Sequence, residues 1–397
     1  MSDLLSGTAH STLAILKFEG GTMSEYQYYE WQTVDRALTA AEQAAVGRLS
    51  SHIDVSSSRA TVTYQWGDFK HDPKQVLVKY FDAHLYLANW GSQRLMFRFP
   101  KGLLDAQSVS AYCIEDFITL ETLGGYEVLD LRLDEEEGVG WLEGEGDLST
   151  FARLRDDLFQ GDYRLLYAAW LKAIELSRPS EKEDDPDGLN QGLEPPVPTG
   201  LKRLPEAVER FVKAFDVDPF LIKAASETSP DPEAASEVDY GALVARLARE
   251  ECNDFLARMA KGETGVALVL RKRLMAFVQK THQPAPERRT IQQLFERAKQ
   301  VKNEEALRRK ETARRRHVAE METLAGNEAQ VWQEVETLIQ LFTPKGYDEA
   351  TEKLVKLKQL AEFQGAPGVF DERMQSLRQK FKARRGLMDR WQKKRLR

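Results

Sequence analysis

The chain has 397 residues, of which 42% are hydrophobic and 30% are charged, and its formal net charge is −7. A chain of this size is expected to form two or three domains with cores of their own. No apolar run approaches the roughly 20 residues that a membrane-spanning helix needs, which predicts no membrane partner. The two cysteines lie far apart and the six histidines lack metal-ligand spacing, so the composition predicts a cytoplasmic protein without a metal or other cofactor.

The first 22 residues differ in pattern from the rest of the chain. Their apolar stretch, LAILKF, is short, contains Lys17 and has no basic residue before it, unlike a secretory signal. Strand-like patterning begins only after Met23, so we predict that residues 1–22 are a disordered extension. Translation from Met1 and translation from Met23 are both compatible with this pattern.

Charge is distributed unevenly along the chain. From Arg258 onward, Lys and Arg outnumber Asp and Glu by 14, whereas before that point the acidic residues are in excess by 21. Such an asymmetry indicates that the two halves bind different partners, or that they attract one another.

Residues 23–177 have the pattern of an α+β domain. Six segments are rich in aromatic and β-branched residues, as strands are, and most gaps between them have hairpin length. Between the first two segments, Thr39 and Glu42 have the spacing of a helix-capping box. We therefore predict an antiparallel or mixed sheet with helices on one face, in two layers. The predicted strands lie within residues 25–34, 59–66, 83–90, 95–99, 116–122 and 126–133.

The second half of the chain is predicted to be all-α. Residues 178–200 are acidic and rich in Pro and Gly, which predicts a linker. Apolar residues at helical spacing predict a helical domain over 201–286. Residues 287–397 are predicted to form a long charged helix, interrupted at Gly326, and then an antiparallel helical tail. A coiled-coil-like seam of apolar residues, ending at Phe342, is expected to join them.

The stretch WGDFKHDPKQVLVKYFDAHLYLANWG, residues 66–91, contains the side chains of an active site. His71 and His84 would act as general acid and base, with Asp68 or Asp82 as the carboxylate, if the fold brought them together. Sequence spacing does not show such proximity. These four residues are therefore weak candidates for catalysis.

A folding role explains the same stretch. Asp72 has the position of a helix N-cap and Pro73 that of the first helical residue. Val76, Leu77 and Phe81 supply a buried helix face, and AHLYLANW then alternates as a strand. Gly91 suits a hairpin turn. We favour this structural interpretation over catalysis.

Familiar catalytic motifs are missing from the sequence. It contains no phosphate-binding loop, no GxSxG elbow, no HExxH and no CxxC. The acidic run at 134–138, DEEEG, would attract a cation. A solvated loop is the preferred interpretation, since metal sites need ligands from several elements.

The most unusual segment is KNEEALRRKETARRRH, residues 302–317, which is almost free of apolar residues. One interpretation is a nucleic-acid-binding helix whose cations neutralise phosphates. The preferred one is a solvated helix held by its own ion pairs, because Glu precedes Arg by four residues three times. No aromatic residues interleave to stack on bases. The candidate nucleic-acid-binding residues are Arg308, Arg309, Lys310, Arg314, Arg315 and Arg316.

Several segments together resemble a family of bacterial proteins known as hypothetical products. They are YQYYEWQTVDRALTAAE, WGDF with the DP that comes after it, YFDAHLYLANWG, EPPVPTGL and YDEATEKLVKLKQLA. The resemblance runs from about Met23 to the C-terminus and implies a bacterial cytosolic protein. No activity, cofactor or catalytic residue is established for that family, so the resemblance assigns no site.

These observations favour a non-enzymatic adaptor or scaffold. The acidic α+β domain and the basic helical arm would each bind other proteins. The first alternative is a nucleic-acid-associated accessory factor that uses the basic half. The second alternative is an enzyme with a site around residues 68–84.

Overall fold

The structure is a computed structural model that describes residues 25–134, 148–178, 191–231, 239–263, 265–278 and 288–396. By their internal contacts, Met1–Lys299 and Gln300–Arg397 are two compact units, named here unit 1 and unit 2. This division differs from the predicted limits, which separated 23–177 from 201–286 and both from 287–397. The acidic run 135–138 and the extension 1–22 lie outside the described residues.

Unit 1 is built on a seven-stranded antiparallel sheet with strand order β2-β3-β1-β4-β5-β7-β6. The predicted α+β class, with its antiparallel sheet followed by a helical half, is confirmed. All six predicted strand segments contain a strand, and a two-residue edge strand is added. The strands are β1 (Gln27–Gln32), β2 (Asp54–Val55), β3 (Arg59–Tyr64), β4 (Ala83–Ala88), β5 (Gln93–Pro100), β6 (Ile118–Leu123) and β7 (Tyr126–Arg132).

One face of the sheet is covered by α1 (Ala40–Gly47) and α2 (Pro73–Tyr80). Alternation along β1 places Tyr29 and Trp31 in this core, where they meet Leu77 of α2. Both helices begin as their sequences predict. Thr39 and Glu42 form the capping box of α1, and the Asp72 carboxylate accepts the Lys74 N–H at the start of α2.

The opposite face of the sheet is also covered, so the predicted two layers are in fact three. Here α4 (Leu148–Phe159) packs on β1 and β4. The next helix, α5 (Arg164–Leu176), is almost wholly buried and contacts β6. The Leu148 N–H donates to Glu30, which lies on the side of β1 away from Trp31. Cover on both faces explains why β4, β5 and β7 are buried at nearly every position.

The remaining helices of unit 1 are short. They are α3 (Ala106–Ser110), α6 (Glu206–Ala214), α7 (Pro219–Ser226), α8 (Tyr240–Val244), α9 (Arg249–Ala260) and α10 (Val266–Met275). The start of α11 (Ile291–Gly326) also belongs to this unit, because the contact boundary falls inside that helix.

The predicted linker, 178–200, makes long-range contacts through residues 192–194. Glu194 is only 2% exposed, and its carboxylate accepts two hydrogen bonds from Arg289, at 2.6 and 3.0 Å, and one from the Tyr167 hydroxyl. A backbone bridge pairs Leu193 with Thr290 just before α11. Composition suggested a solvated segment, but long-range pairing with 288–291 buries Glu194 within it. Residues 179–190 lie outside the described part of the chain.

Unit 2 continues α11 and adds α12 (Glu328–Gln340), α13 (Pro344–Phe363), α14 (Pro367–Lys380) and α15 (Arg385–Lys393). The predicted interruption at Gly326 is present. Val335 and Leu354 lie in a core that is closed by the fully buried Trp391. The predicted seam differs at Phe342, which is 54% exposed and has φ +56°, because the chain turns there into α13.

Candidate functional site

His84 lies on β4, fully buried and stacked on Trp31 with 4.6 Å between ring centroids. Its Nδ1 is 2.9 Å from the backbone oxygen of Glu30, and because a carbonyl only accepts, Nδ1 carries the proton. Burial, together with the nearby charge of Arg94, lowers the pKa of His84 to about 3. The imidazole is therefore neutral at physiological pH, and its Nε2 has no hydrogen-bond partner among the described residues.

The other residues of the proposed catalytic group lie elsewhere. His71 is exposed in the loop before α2. Its ring lies at a steep angle to that of Phe69, with 5.6 Å between the two ring centroids. Asp68, also exposed, accepts a 2.9 Å hydrogen bond from Gln27 Nε2. Within the described part of the chain, no hydrogen bond or ring contact joins His71 to His84. The structure does not bring the two histidines together with a carboxylate.

Asp82 is the buried carboxylate at the end of α2. It accepts the backbone N–H groups of Val34 at 2.7 Å and Asp35 at 3.0 Å, and Arg98 Nη2 donates to it at 2.6 Å. Burial by itself raises the pKa of Asp82, but Arg98, Arg155 and the two N–H donors outweigh burial and lower it. The hydrogen bonds that the Asp82 carboxylate accepts therefore join the β1–α1 loop to β5.

The sequence did not reveal a charged cluster on the same face of the sheet as His84. Its centre is Asp130, which is 1% exposed and accepts two hydrogen bonds from Arg94, at 2.7 and 2.6 Å. Lys74 of α2 lies 3.0 Å from Asp130 and 2.9 Å from Glu121, and Arg132 lies 3.6 Å from Asp130. These five residues are called the Asp130 cluster.

Strand register assembles the Asp130 cluster. Met96 pairs with His84 on one side and with Asp130 on the other, so the three side chains form one row across the sheet. Burial raises the pKa of Asp130, but hydrogen bonds and charge from Arg94 and Lys74 lower it further than burial raises it. The signal in the sequence was Asp130 itself, which stands between Leu129 and Leu131 in β7. A carboxylate among buried apolar residues is expected only where cations or hydrogen-bond donors pair with it.

The basic candidates lie on α11, where residues 306–317 are all exposed. Three of the six arginines and lysines form ion pairs four residues away. Arg309 meets Glu305 at 2.6 Å and Arg315 meets Glu311 at 3.0 Å, while Arg316 lies 3.4 Å from Glu320. Among the described residues, no ion pair involves Arg308, Lys310 or Arg314.

Unit 2 has an open groove between α12 and α14. Trp332 and Leu377 form part of its lining, and two ion pairs cross it, from Arg373 to Glu328 at 3.3 Å and from Lys380 to Glu336. The Arg373 guanidinium also lies over the Trp332 ring, 5.3 Å from its centroid. Side chains of the protein itself therefore span this groove.

The described residues contain no group of three or more His, Cys, Asp or Glu side chains placed to hold a metal ion. None of the described helices combines the length and apolarity needed to cross a membrane. Comparisons with protein families, with curated proteins and with solved structures found no match to this chain. The resemblance to a bacterial family therefore stays a prediction.

Proposed function

We propose that this chain is a non-enzymatic cytoplasmic adaptor that binds other proteins. The observation that carries the proposal is the helical segment 306–317, in which every side chain is exposed. A helix that is polar all round contributes nothing to a core, and it persists through ion pairs four residues apart. Arg309–Glu305 and Arg315–Glu311 are such pairs.

An adaptor needs exposed recognition surfaces on stable supports. Unit 1 supplies a support in its sheet, buried on both faces, and unit 2 supplies another in the core around Trp391. Exposed apolar side chains such as Leu256 and Leu341, 63% and 57% exposed, are available for contacts with partners. The acidic and basic halves favour different partners.

The test is capture of partners by the tagged full-length protein from its native cytosol, with and without nuclease. We expect defined proteins to be retained after nuclease treatment. Recovery of no protein above background, together with turnover of a small molecule by the purified chain, would contradict the adaptor function.

The second candidate is a nucleic-acid-associated factor, and one observation favours it. Arg308, Lys310 and Arg314 carry charges that no carboxylate of the described residues pairs, so they are available to phosphates. The test variant carries both Lys310→Gln and Arg314→Gln, and the control carries Lys356→Gln. Binding of the full chain to DNA and to RNA is measured for each across a salt series. Equal, negligible binding by the wild type and both variants at low salt would remove this candidate.

The enzyme alternative around residues 68–84 receives no comparable support. Its two histidines and two aspartates each contact different residues and do not form one group. Full activity retained by a folded protein carrying His71→Ala and His84→Gln would remove it, whatever reaction is assayed.

A further inference from the structure

Two tryptophans of unit 1 are unusually exposed. Trp66 is 77% exposed and Trp90 is 40% exposed, although tryptophan is normally largely buried in folded proteins or in interfaces. Exposed tryptophan is enriched among the residues that dominate binding energy between proteins. Neither residue belongs to the core of the sheet, so folding alone does not explain them.

Strand register brings the two tryptophans to the same end of the sheet. Tyr64 of β3 and Ala88 of β4 both pair with Gln27 of β1, from opposite sides. Trp66 and Trp90 each come two residues later. Since neighbouring strands are about 4.8 Å apart, the strand ends at Tyr64 and Ala88 lie about 10 Å apart, a distance that one extended segment can span.

Both tryptophans are held on ordered loops. Gln27 Nε2 donates at 2.9 Å to the backbone oxygen of Gly67, and Phe69, two residues later, is buried in the core. The Trp90 indole N–H donates to Ser92 Oγ at 3.1 Å, within a turn in which Gly91 has φ +104°. Loops fixed in this way lose little conformational entropy when a partner binds.

Carboxylates outnumber cations among the exposed charges around the tryptophans. Three exposed carboxylates, Glu25, Asp68 and Asp134, lie at this end of the sheet. The exposed cations there are Lys70 and Arg132, and Arg132 is 3.6 Å from the buried Asp130 carboxylate. Within the described residues, no cation lies over either the Trp66 or the Trp90 ring. Indole faces attract cations, and carboxylates pair with them.

We infer that Glu25, Trp66, Asp68, Trp90 and Asp134, named here the Trp66–Trp90 surface, bind a lysine- and arginine-rich segment of a partner protein. The inference deepens the proposed adaptor function by naming one of its surfaces and the chemistry of its partner. The three carboxylates disfavour nucleic acid, whose phosphates they would repel. They also distinguish this surface from the basic segment of α11.

The test uses the full chain and a fluorescent nona-arginine peptide, with binding followed by anisotropy. The variant carries Trp66→Ala and Trp90→Ala, and the matched control is Val34→Ala, an exposed apolar residue beyond the other end of β1. We expect the double variant to bind about tenfold more weakly and the control to bind as the wild type does. Asp68→Asn should weaken binding less and should lower its salt dependence.

Several outcomes would overturn the inference. The first is equal peptide binding by the wild type and the double tryptophan variant. The second is binding of nona-glutamate by the wild type as tightly as nona-arginine. The third is a double variant that loses binding to single-stranded DNA while it keeps binding to the peptide. Replacement of both tryptophans by Phe keeps aromatic faces and should restore part of the affinity. Because the peptide assay uses no cellular partner, its failure leaves the adaptor proposal to stand or fall by the capture experiment.

Discussion

In unit 1, Arg98 donates to Asp82 at 2.6 Å with 8% and 1% of the two side chains exposed. In α11, Arg315 donates to Glu311 at 3.0 Å with 79% and 51% exposed. The two pairs have similar geometry, but water surrounds only the second. Removing charges from water costs several kcal/mol per ion, so a buried pair persists only when further donors complete it. The Val34 and Asp35 N–H groups do so for Asp82.

This difference separates charges that fix the fold from charges that are available to partners. The Asp130 cluster and the Asp82–Arg98 pair attach α2 and the β1–α1 loop to the sheet. The Arg315–Glu311 pair joins two residues of the same helix, and both side chains are largely exposed. Three predictions test the comparison, from the largest expected effect to the smallest.

The largest effect is expected from Asp82→Ala. This change leaves the buried Arg98 guanidinium and two backbone N–H groups without their acceptor, so we expect the free energy of unfolding to fall by about 3–5 kcal/mol. Urea denaturation followed by circular dichroism measures it. A loss below about 1 kcal/mol, as expected for a surface pair, would contradict the role assigned to Asp82.

An intermediate effect is expected from His84 as the pH falls. The folded protein keeps this imidazole neutral down to about pH 3, whereas the unfolded chain binds a proton below about pH 6.5. Stability is therefore lost as the pH falls from 6.5 toward 3, by about 1.4 kcal/mol per unit, or about 2 kcal/mol at pH 5.

The measurement for His84 is the free energy of unfolding at pH 7 and at pH 5. His84→Gln should remove this part of the pH dependence, whatever it does to stability at pH 7. Glu30 acts in the opposite direction, because burial raises its pKa. An unchanged pH slope in the variant would show that His84 is protonated in the folded state.

The smallest effect is expected from Glu311→Gln. It removes one exposed pair of α11, so we expect a change in the free energy of unfolding of at most about 0.5 kcal/mol, reduced further by salt. A loss as large as that of Asp82→Ala would mean that Arg315 is buried in a contact, against its exposure.

Much of the fold was predictable because the signals are local. Alternating aromatic and β-branched residues indicated every strand segment of the sheet except the two-residue β2, and the N-cap positions predicted for Thr39 and Asp72 are confirmed. The break at Gly326 was equally visible. The second layer of helices was missed, since a strand buried on both faces resembles one buried on a single face when segments are short.

The candidate sites were less predictable. His84 was identified as a candidate, but its complete burial depends on Trp31, more than fifty residues away. Glu194 lies in a segment whose composition indicates a linker, and only its pairing with Arg289 shows otherwise. Spacing in the sequence cannot reveal partners that are so far apart along the chain.

The sequence by itself determined the positions of strands and helices, their caps, and the separation of acidic from basic charge, because each depends on neighbouring residues or on composition. Tertiary structure decided which charges are buried and which remain in solvent. It placed Lys74 against Asp130, and it brought Trp66 and Trp90 to one end of the sheet. Strand register sets these placements, since shifting a strand by one residue would turn its side chains to the opposite face.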